Sequence, residues 1–351
     1  MEYEYSQEMN SLFYWPNWYP QSDDSVVSAS YELILHQPIE YKTYAIGLDK
    51  TPASFSEDKG ETTIRWTQSN KSPRLDEDYL PPEHHIQMAL LFAAREFELE
   101  TFKGSTESWN SFANWIHQLW ENKYELSPDE KSTISGLTQN CHNEREKISV
   151  LYSWLQKNTR YVAIEAGIHG FQPFPAQDVL NNRYGDYKAL SALMVAMLWD
   201  VDITAYQALV KTRDSGITRT DFPSNQFNHV IACVPIQTDT VWLECTSNLL
   251  AAGELPYNDE DCSDLLLHEN GGTIAKTSAS TAMANSWQSC CKGRLTYARM
   301  LMFDGELHIS LATRLFIDAS DFLKRNWGIR NGSLKAYWRN TNHQLNSIIM
   351  S

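Results

Sequence analysis

The feature that most constrains this chain is the dense apolar run Ala189 to Trp199, which follows directly on Tyr184-Gly185-Asp186-Tyr187-Lys188. Leu190, Leu193, Met194 and Met197 recur at helical spacing, which predicts a core helix over Lys188 to Trp199. The run falls well short of the roughly 18 apolar residues that a membrane-spanning helix needs. No longer run exists in the chain, so no transmembrane segment is expected. A helix this apolar must be enclosed by other elements. The chain has the material to enclose it, with 351 residues, 42% of them hydrophobic, and 12 Trp, 17 Tyr and 13 Phe. At about 100 to 200 residues per domain, that length suggests two or three domains.

Charge and cysteine content remove several function classes. A formal net charge of −15 would repel phosphate backbones, so nucleic-acid binding is not expected. The segment Met1 to Asn10 is acidic and aromatic where a secretory leader needs a basic and then an apolar stretch, and it is not read as a signal peptide. The six cysteines form no CxxC or CxxH pair, and no Gly-rich phosphate loop is present. His84 and His85 are adjacent, so their side chains diverge, and they read as loop residues, not as a metal pair. No cofactor and no metal site are expected.

The texture changes along the chain. Ser30 to His36 and Thr62 to Thr67 read as strands of a β-rich region. Ser108 to Trp120 suits an amphipathic helix with Trp115 and Leu119 on one face. Glu144 to Asn158 carries Ile148, Leu151, Tyr152 and Leu155 at helical spacing, Tyr161 to Glu165 reads as a short strand, and Ala176 to Asn182 as a short helix. After the core helix, strands are expected at Ile203 to Lys211, Phe227 to Pro235 and Val241 to Cys245. An acidic loop with Asp259, Glu260, Asp261 and Asp264 then leads to a Ser/Thr/Ala linker near Lys276 to Ser286 and to further strands from Arg294.

Chemistry concentrates where a helix start (Tyr184 to Tyr187) precedes a strand histidine, His229, and a carboxylate on the next strand, Glu244. A cysteine hydrolase needs its nucleophile at a helix N-terminus, where the macrodipole favours the thiolate. It also needs a histidine base and a carboxylate that fixes the base's tautomer. The stretch YVAIEAGIHGFQPFPAQDVLNNRYGDYKALSALMVAML, with FNHVIACVP and VWLECT after it, resembles the transglutaminase-like domain of large bacterial cell-envelope proteins, in the papain-like superfamily. SASYELIL through RLDEDYLPPEHH is similar to the second half of the β-rich domain of unknown function that commonly precedes that domain.

The resemblance implies an α+β fold, a papain-like transglutaminase core flanked by β-rich, sandwich-like domains. The expected division is 1–103 for the β-rich half-domain, 104–258 for the transglutaminase-like domain, and 259–351 for a linker and the start of a C-terminal β-rich domain. The family pattern places the nucleophile in Tyr-Gly-Asp-Cys-Lys, the base in Phe-Asn-His-Val and the orienting acid in Trp-Leu-Asp-Pro-Thr. Position by position these fall on Tyr187, His229 and Glu244, so only the base is unchanged.

A phenol with a pKa of about 10 is about 0.1% ionised at neutral pH, far less than a helix-terminal thiol. Inherited acyl transfer is therefore not expected. A two-residue turn at Gln237-Thr238 would pair Ile236 with Asp239 and put Glu244 on the face of His229. A one-residue slip would bring Cys245 there instead. The expected function is a catalytically silent binding or scaffold module of the cell envelope, using a groove around Tyr187, His229 and Trp242 to hold a peptide or protein. The alternative is a peptidase, amide hydrolase or transamidase in which Cys245 or Tyr187 is a substitute nucleophile and His229 the base. Periplasmic or envelope placement rests on the resemblance alone, beside a cytoplasmic alternative.

Overall fold

The computed structural model describes residues 2–9, 11–74, 87–237, 239–281, 287–295, 303–311, 334–339 and 345–350. His84 and His85 lie outside them. The chain divides into two compact units, Met1–Thr277 and Ser278–Ser351.

The first unit opens with strands β1 (Val26–Leu35), β2 (Tyr41–Ile46), β3 (Ser54–Asp58), β4 (Glu61–Lys71) and β5 (Ala89–Ala94). They form an antiparallel sheet in the order β1-β4-β3 and a separate β2-β5 pair. Trp18, Leu35, Ile64, Trp66, Leu90 and Phe92 make one core between them. The hairpin β6 (Glu96–Leu99) and β7 (Phe102–Ser105) leads into helix α1 (Trp109–Trp120). Ser108 caps that helix by accepting from the Ser111 amide, and its buried face carries Phe112, Trp115, Ile116 and Leu119.

Helix α2 (Pro128–Thr138) was not foreseen from periodicity, because only Ile134 and Thr138 of it are buried. Its signature is instead a capping box: Ser127 and Glu130 satisfy each other's backbone amides, and Pro128 opens the first turn. Helix α3 (Glu144–Asn158) buries the four residues its spacing predicts. The expected strand Tyr161 to Glu165 is shorter: β8 is only Arg160–Tyr161, paired in parallel with β9 (Tyr184–Gly185) beyond helix α4 (Ala176–Asn182). Gly185 leaves little room for a side chain, since a Cβ would sit 3.1 Å from the Ala189 Cβ and 3.2 Å from Val179 Cγ2.

Helix α5 (Tyr187–Trp199) is buried from Lys188 to Leu198 on every side. It lies against strands β10 (Tyr206–Val210) and β11 (His229–Ile236) of a five-stranded sheet completed by β12 (Asp239–Leu243), β13 (Ser263–His268) and β14 (Gly271–Lys276). The order is β12-β11-β10-β13-β14 and all four neighbouring pairs are antiparallel. Ala232, Val234 and Leu243 meet α5, while Leu209, Val230, Leu265 and Leu267 meet α1. Alternate residues Ala208, Val210, Ile231, Cys233, Trp242 and Leu266 form a second layer closed by Leu255 and Cys262. The sheet therefore runs on to Lys276, with two of its strands in the stretch that follows what reads as an acidic loop. In the second unit, β15 (Trp287–Leu295) pairs with β16 (Phe303–Leu311) and β17 (Leu334–Arg339) with β18 (Leu345–Met350), all antiparallel.

Two features of this core are electrostatically unusual. Asp186, the N-cap of α5, accepts from the Ala189 amide through Oδ1 (2.9 Å), and its Oδ2 lies 2.6 Å from Lys188 Nζ. The two side chains are 0% and 2% exposed. On β13, Asp264 is buried with neither carboxyl oxygen hydrogen-bonded, and burial, with Asp259 nearby, pushes its pKa from 3.8 up to about 8.

Removing one partner of a buried ion pair leaves the other uncompensated, so Asp186→Asn should cost about 3 to 5 kcal/mol in urea unfolding. Asp186→Asn combined with Lys188→Met should be less destabilised than Asp186→Asn alone; a double variant no better than the single one would contradict the pairing. For Asp264 the sign follows from its raised pKa. The folded protein keeps a proton that the unfolded chain releases, so stability is full below about pH 4 and declines until about pH 8. Relative to Asp264→Asn, wild type should lose up to about 1.4 kcal/mol per pH unit across that window. Parallel stability curves for the two proteins would refute it.

Candidate functional site

The first turn of α5 sets the site. With Asp186 as N-cap, Tyr187 is the first helical residue, the position a nucleophile would occupy to use the helix dipole. Lys188 Nζ lies 4.2 Å from the centroid of the Tyr187 ring, so the buried ion pair supports that ring from below. Ser191 Oγ donates to Tyr187 O (2.6 Å) and accepts from Gln207 Nε2 (2.6 Å), which ties this turn to β10.

His229 opens β11, and its ring centroid is 5.3 Å from that of Tyr187, edge to face. The β11–β12 register is the one expected for a two-residue turn, with Ile236 opposite Asp239 and Cys233 opposite Trp242. Gln237 holds that turn with a φ of 50°, a left-handed conformation adopted without Gly or Asn. Alternation then places Glu244 with Trp242 and Cys245 with Leu243. His229 Nε2 donates to Glu244 Oε2 at 2.6 Å. The other Glu244 oxygen accepts from the Thr246 amide (2.7 Å) and from Thr246 Oγ1 (2.5 Å), so both carboxylate oxygens are occupied.

Tyr187, His229 and Glu244 are therefore brought together. Cys245 is not: it packs with Leu198, Ala232, Val234 and Leu243, and its Sγ donates to Leu243 O (3.4 Å). Trp242, expected to line a groove, is instead 4% exposed and buried with Ile231, Cys233 and Leu255. Tyr161 of β8 and Glu165 in the loop after it lie close enough to Tyr187 to act on its phenol.

Sequence reasoning misses Asp259, which reads as part of an acidic loop. Residues Leu255 to Cys262 fold back over the sheet, and Asp259 becomes buried with its Oδ2 3.9 Å from His229 Nε2. The only signal was Leu255-Pro256 ahead of the acidic run, an apolar anchor that draws the loop down; Leu255 is fully buried.

Protonation follows from this packing. Burial works to raise the Glu244 pKa, but the hydrogen bond and charge of His229, with bonds from Asp259 and Thr246, hold it well below the usual range. For His229 burial works downward, and Glu244 and Asp259 outweigh it, so its pKa is raised. Burial pushes Asp259 up, against the charge of His229 and with that of Glu244. The Tyr187 phenol is pushed up as well, by burial first and then by the Glu165 and Asp186 charges. Burial, with Glu244 beside it, raises the Cys245 thiol far above its ordinary value.

No curated protein sequence matches the chain. A solved structure of a candidate protease from Parabacteroides distasonis aligns with 92% of this chain and 59% of that one, at 14% identity and a TM-score of 0.51. The chain spans about three fifths of that protein's length, and at this identity the likeness is one of fold. A candidate cysteine protease from Cytophaga hutchinsonii aligns with 95% of this chain and 94% of that one, at 10% identity and a TM-score of 0.34. Residues 131–248, which hold Tyr187, His229 and Glu244, match the family model of the transglutaminase-like superfamily, so the α+β core of this chain is transglutaminase-like.

Proposed function

We propose that this chain is a catalytically silent transglutaminase-like protein, a binding or scaffold module of the cell envelope that holds a peptide or protein segment at the cleft between Tyr187 and His229. The observation that carries the reading is the phenol of Tyr187 at the first position of α5, 5.3 Å ring to ring from His229, with its acidity weakened by burial and by Glu165. A neutral phenol there is a poor nucleophile toward an amide. In other hydrolases loss of the nucleophile costs on the order of a millionfold in rate. The envelope placement rests on the resemblance of the central and upstream segments to bacterial envelope proteins.

The enzyme alternative has one observation in its favour, the intact His229–Glu244 hydrogen bond at 2.6 Å, which is how a base is oriented. Against it, Cys245 would have to leave the α5 core to reach that histidine.

The test is to restore a thiol and ask whether the site still activates it. Tyr187→Cys should be alkylated by iodoacetamide with a pH midpoint several units below about 8.5, and that depression should vanish in Tyr187→Cys combined with His229→Ala. Unmodified protein should show no thiol-dependent amidase or transamidase turnover. Turnover by the unmodified protein that disappears in Cys245→Ser or Tyr187→Phe would overturn the silent reading and identify the nucleophile.

A further inference from the structure

We propose that His229, Glu244 and Asp259 form a binding site for a first-row divalent metal ion, of the class of Zn²⁺ or Mn²⁺. The three residues come from the start of β11, the end of β12 and the loop folded over the sheet, and one ligating atom of each lies within 4.8 Å of the others. Their side chains are 15%, 3% and 3% exposed, so the cluster is walled by protein on the carboxylate side and reached through the histidine edge.

The decisive observation is the unpartnered oxygen. Asp259 Oδ2 is buried with no donor group bonded to it, the carboxyl's link to Glu244 resting on a proton that the two acids share, and it points at the same ring nitrogen, 3.9 Å away, that already serves Glu244. An N–H is a single directional donor, so His229 Nε2 cannot satisfy both carboxylates. A dication can, because it takes the imidazole lone pair and one oxygen from each carboxylate, and the two negative charges match its own. A mixed set of one imidazole and two carboxylates favours zinc, manganese or iron over magnesium or calcium, which prefer all-oxygen sites.

The geometry is close to what an ion requires. Metal–ligand bonds of about 2.0 to 2.2 Å put neighbouring donors about 3 to 3.5 Å apart. The separations of 2.6 and 3.9 Å bracket that range, so binding needs Glu244 to draw back and Asp259 to advance by under about 1 Å each. Glu244 is held from behind by the Thr246 amide and hydroxyl, the kind of outer support that orients a ligating carboxylate. On binding, the proton shared between His229 and Glu244 and the proton that burial keeps on Asp259 both leave to solvent, and the ion takes their place. The proposal goes beyond the silent reading and stands apart from it, since metal uptake is read directly and not through any reaction.

The experiment is calorimetric titration of the chelator-stripped full chain with Zn²⁺ and, separately, Mn²⁺. Asp259→Asn, Glu244→Gln and His229→Gln are titrated in parallel, and melting temperatures are recorded with and without each ion. Wild type should take up one ion per chain saturably and melt higher in its presence. Asp259→Asn and His229→Gln should each weaken binding at least about tenfold and lose the rise in melting temperature. The proposal is overturned if wild type shows no saturable uptake, or if Asp259→Asn and His229→Gln bind as tightly as wild type, which would assign the ion to surface histidines. If one variant fails to fold, the other two carry the same comparison.

Discussion

The Asp186–Lys188 ion pair is the constraint around which the rest of this molecule is arranged. Two charges 2.6 Å apart sit at the start of a helix whose following residues are almost all apolar and enclosed. Taking such charges out of water is expensive, and only close mutual contact with added hydrogen bonding makes it tolerable. Asp186 meets both conditions at once, capping the helix through one oxygen and holding Lys188 through the other. The result is a rigid first turn that presents Tyr187 at one fixed place, with Gly185 admitting the close approach of Val179 and Ala189. The same turn that would position a nucleophile here positions a phenol.

The base and its orienter are arranged by a different device, the register of one hairpin. Gln237, in a left-handed conformation, helps close the β11–β12 turn, and every residue beyond it inherits its face from that closure. Glu244 lands beside His229 and Cys245 lands in the hydrophobic layer under α5. The longer glutamate side chain still spans the diagonal to the histidine and keeps its second oxygen for Thr246. The His229–Glu244 pairing is thus built by strand pairing and does not depend on which side chain stands at position 187.

Behind that pair the sheet carries an acidic layer that an ordinary core would not contain. Asp259 and Asp264 are buried together with Glu244 under the loop anchored by Leu255, with His229 facing them and Lys188 near enough to act on that histidine. Several carboxyl groups sharing so little countercharge cannot all be ionised, so protons or a cation must make up the difference. This ties the stability of the sheet and the chemistry of the cleft to the same set of groups.

Much of the architecture was legible in the sequence because it follows from periodicity and motif. The helices Glu144–Asn158 and Tyr187–Trp199, the strands on either side of Gln237, and the placing of Tyr187, His229 and Glu244 along them all read from local spacing. Helix α2 escaped because its support is a capping box at Ser127 and Glu130, with little amphipathic pattern to see. Strands β13 and β14 escaped because Asp261 and Asp264 make that stretch look solvated. The sequence by itself determined which residue types stand at the start of the core helix and on the strands after it, since those depend on neighbours a few positions away. Only the tertiary structure decided that Asp259, 30 residues beyond His229, would be buried against it. That contact depends on a loop closing over a sheet, and the free energy of that closure lies in burying Leu255 and Cys262, not in anything local to the aspartate.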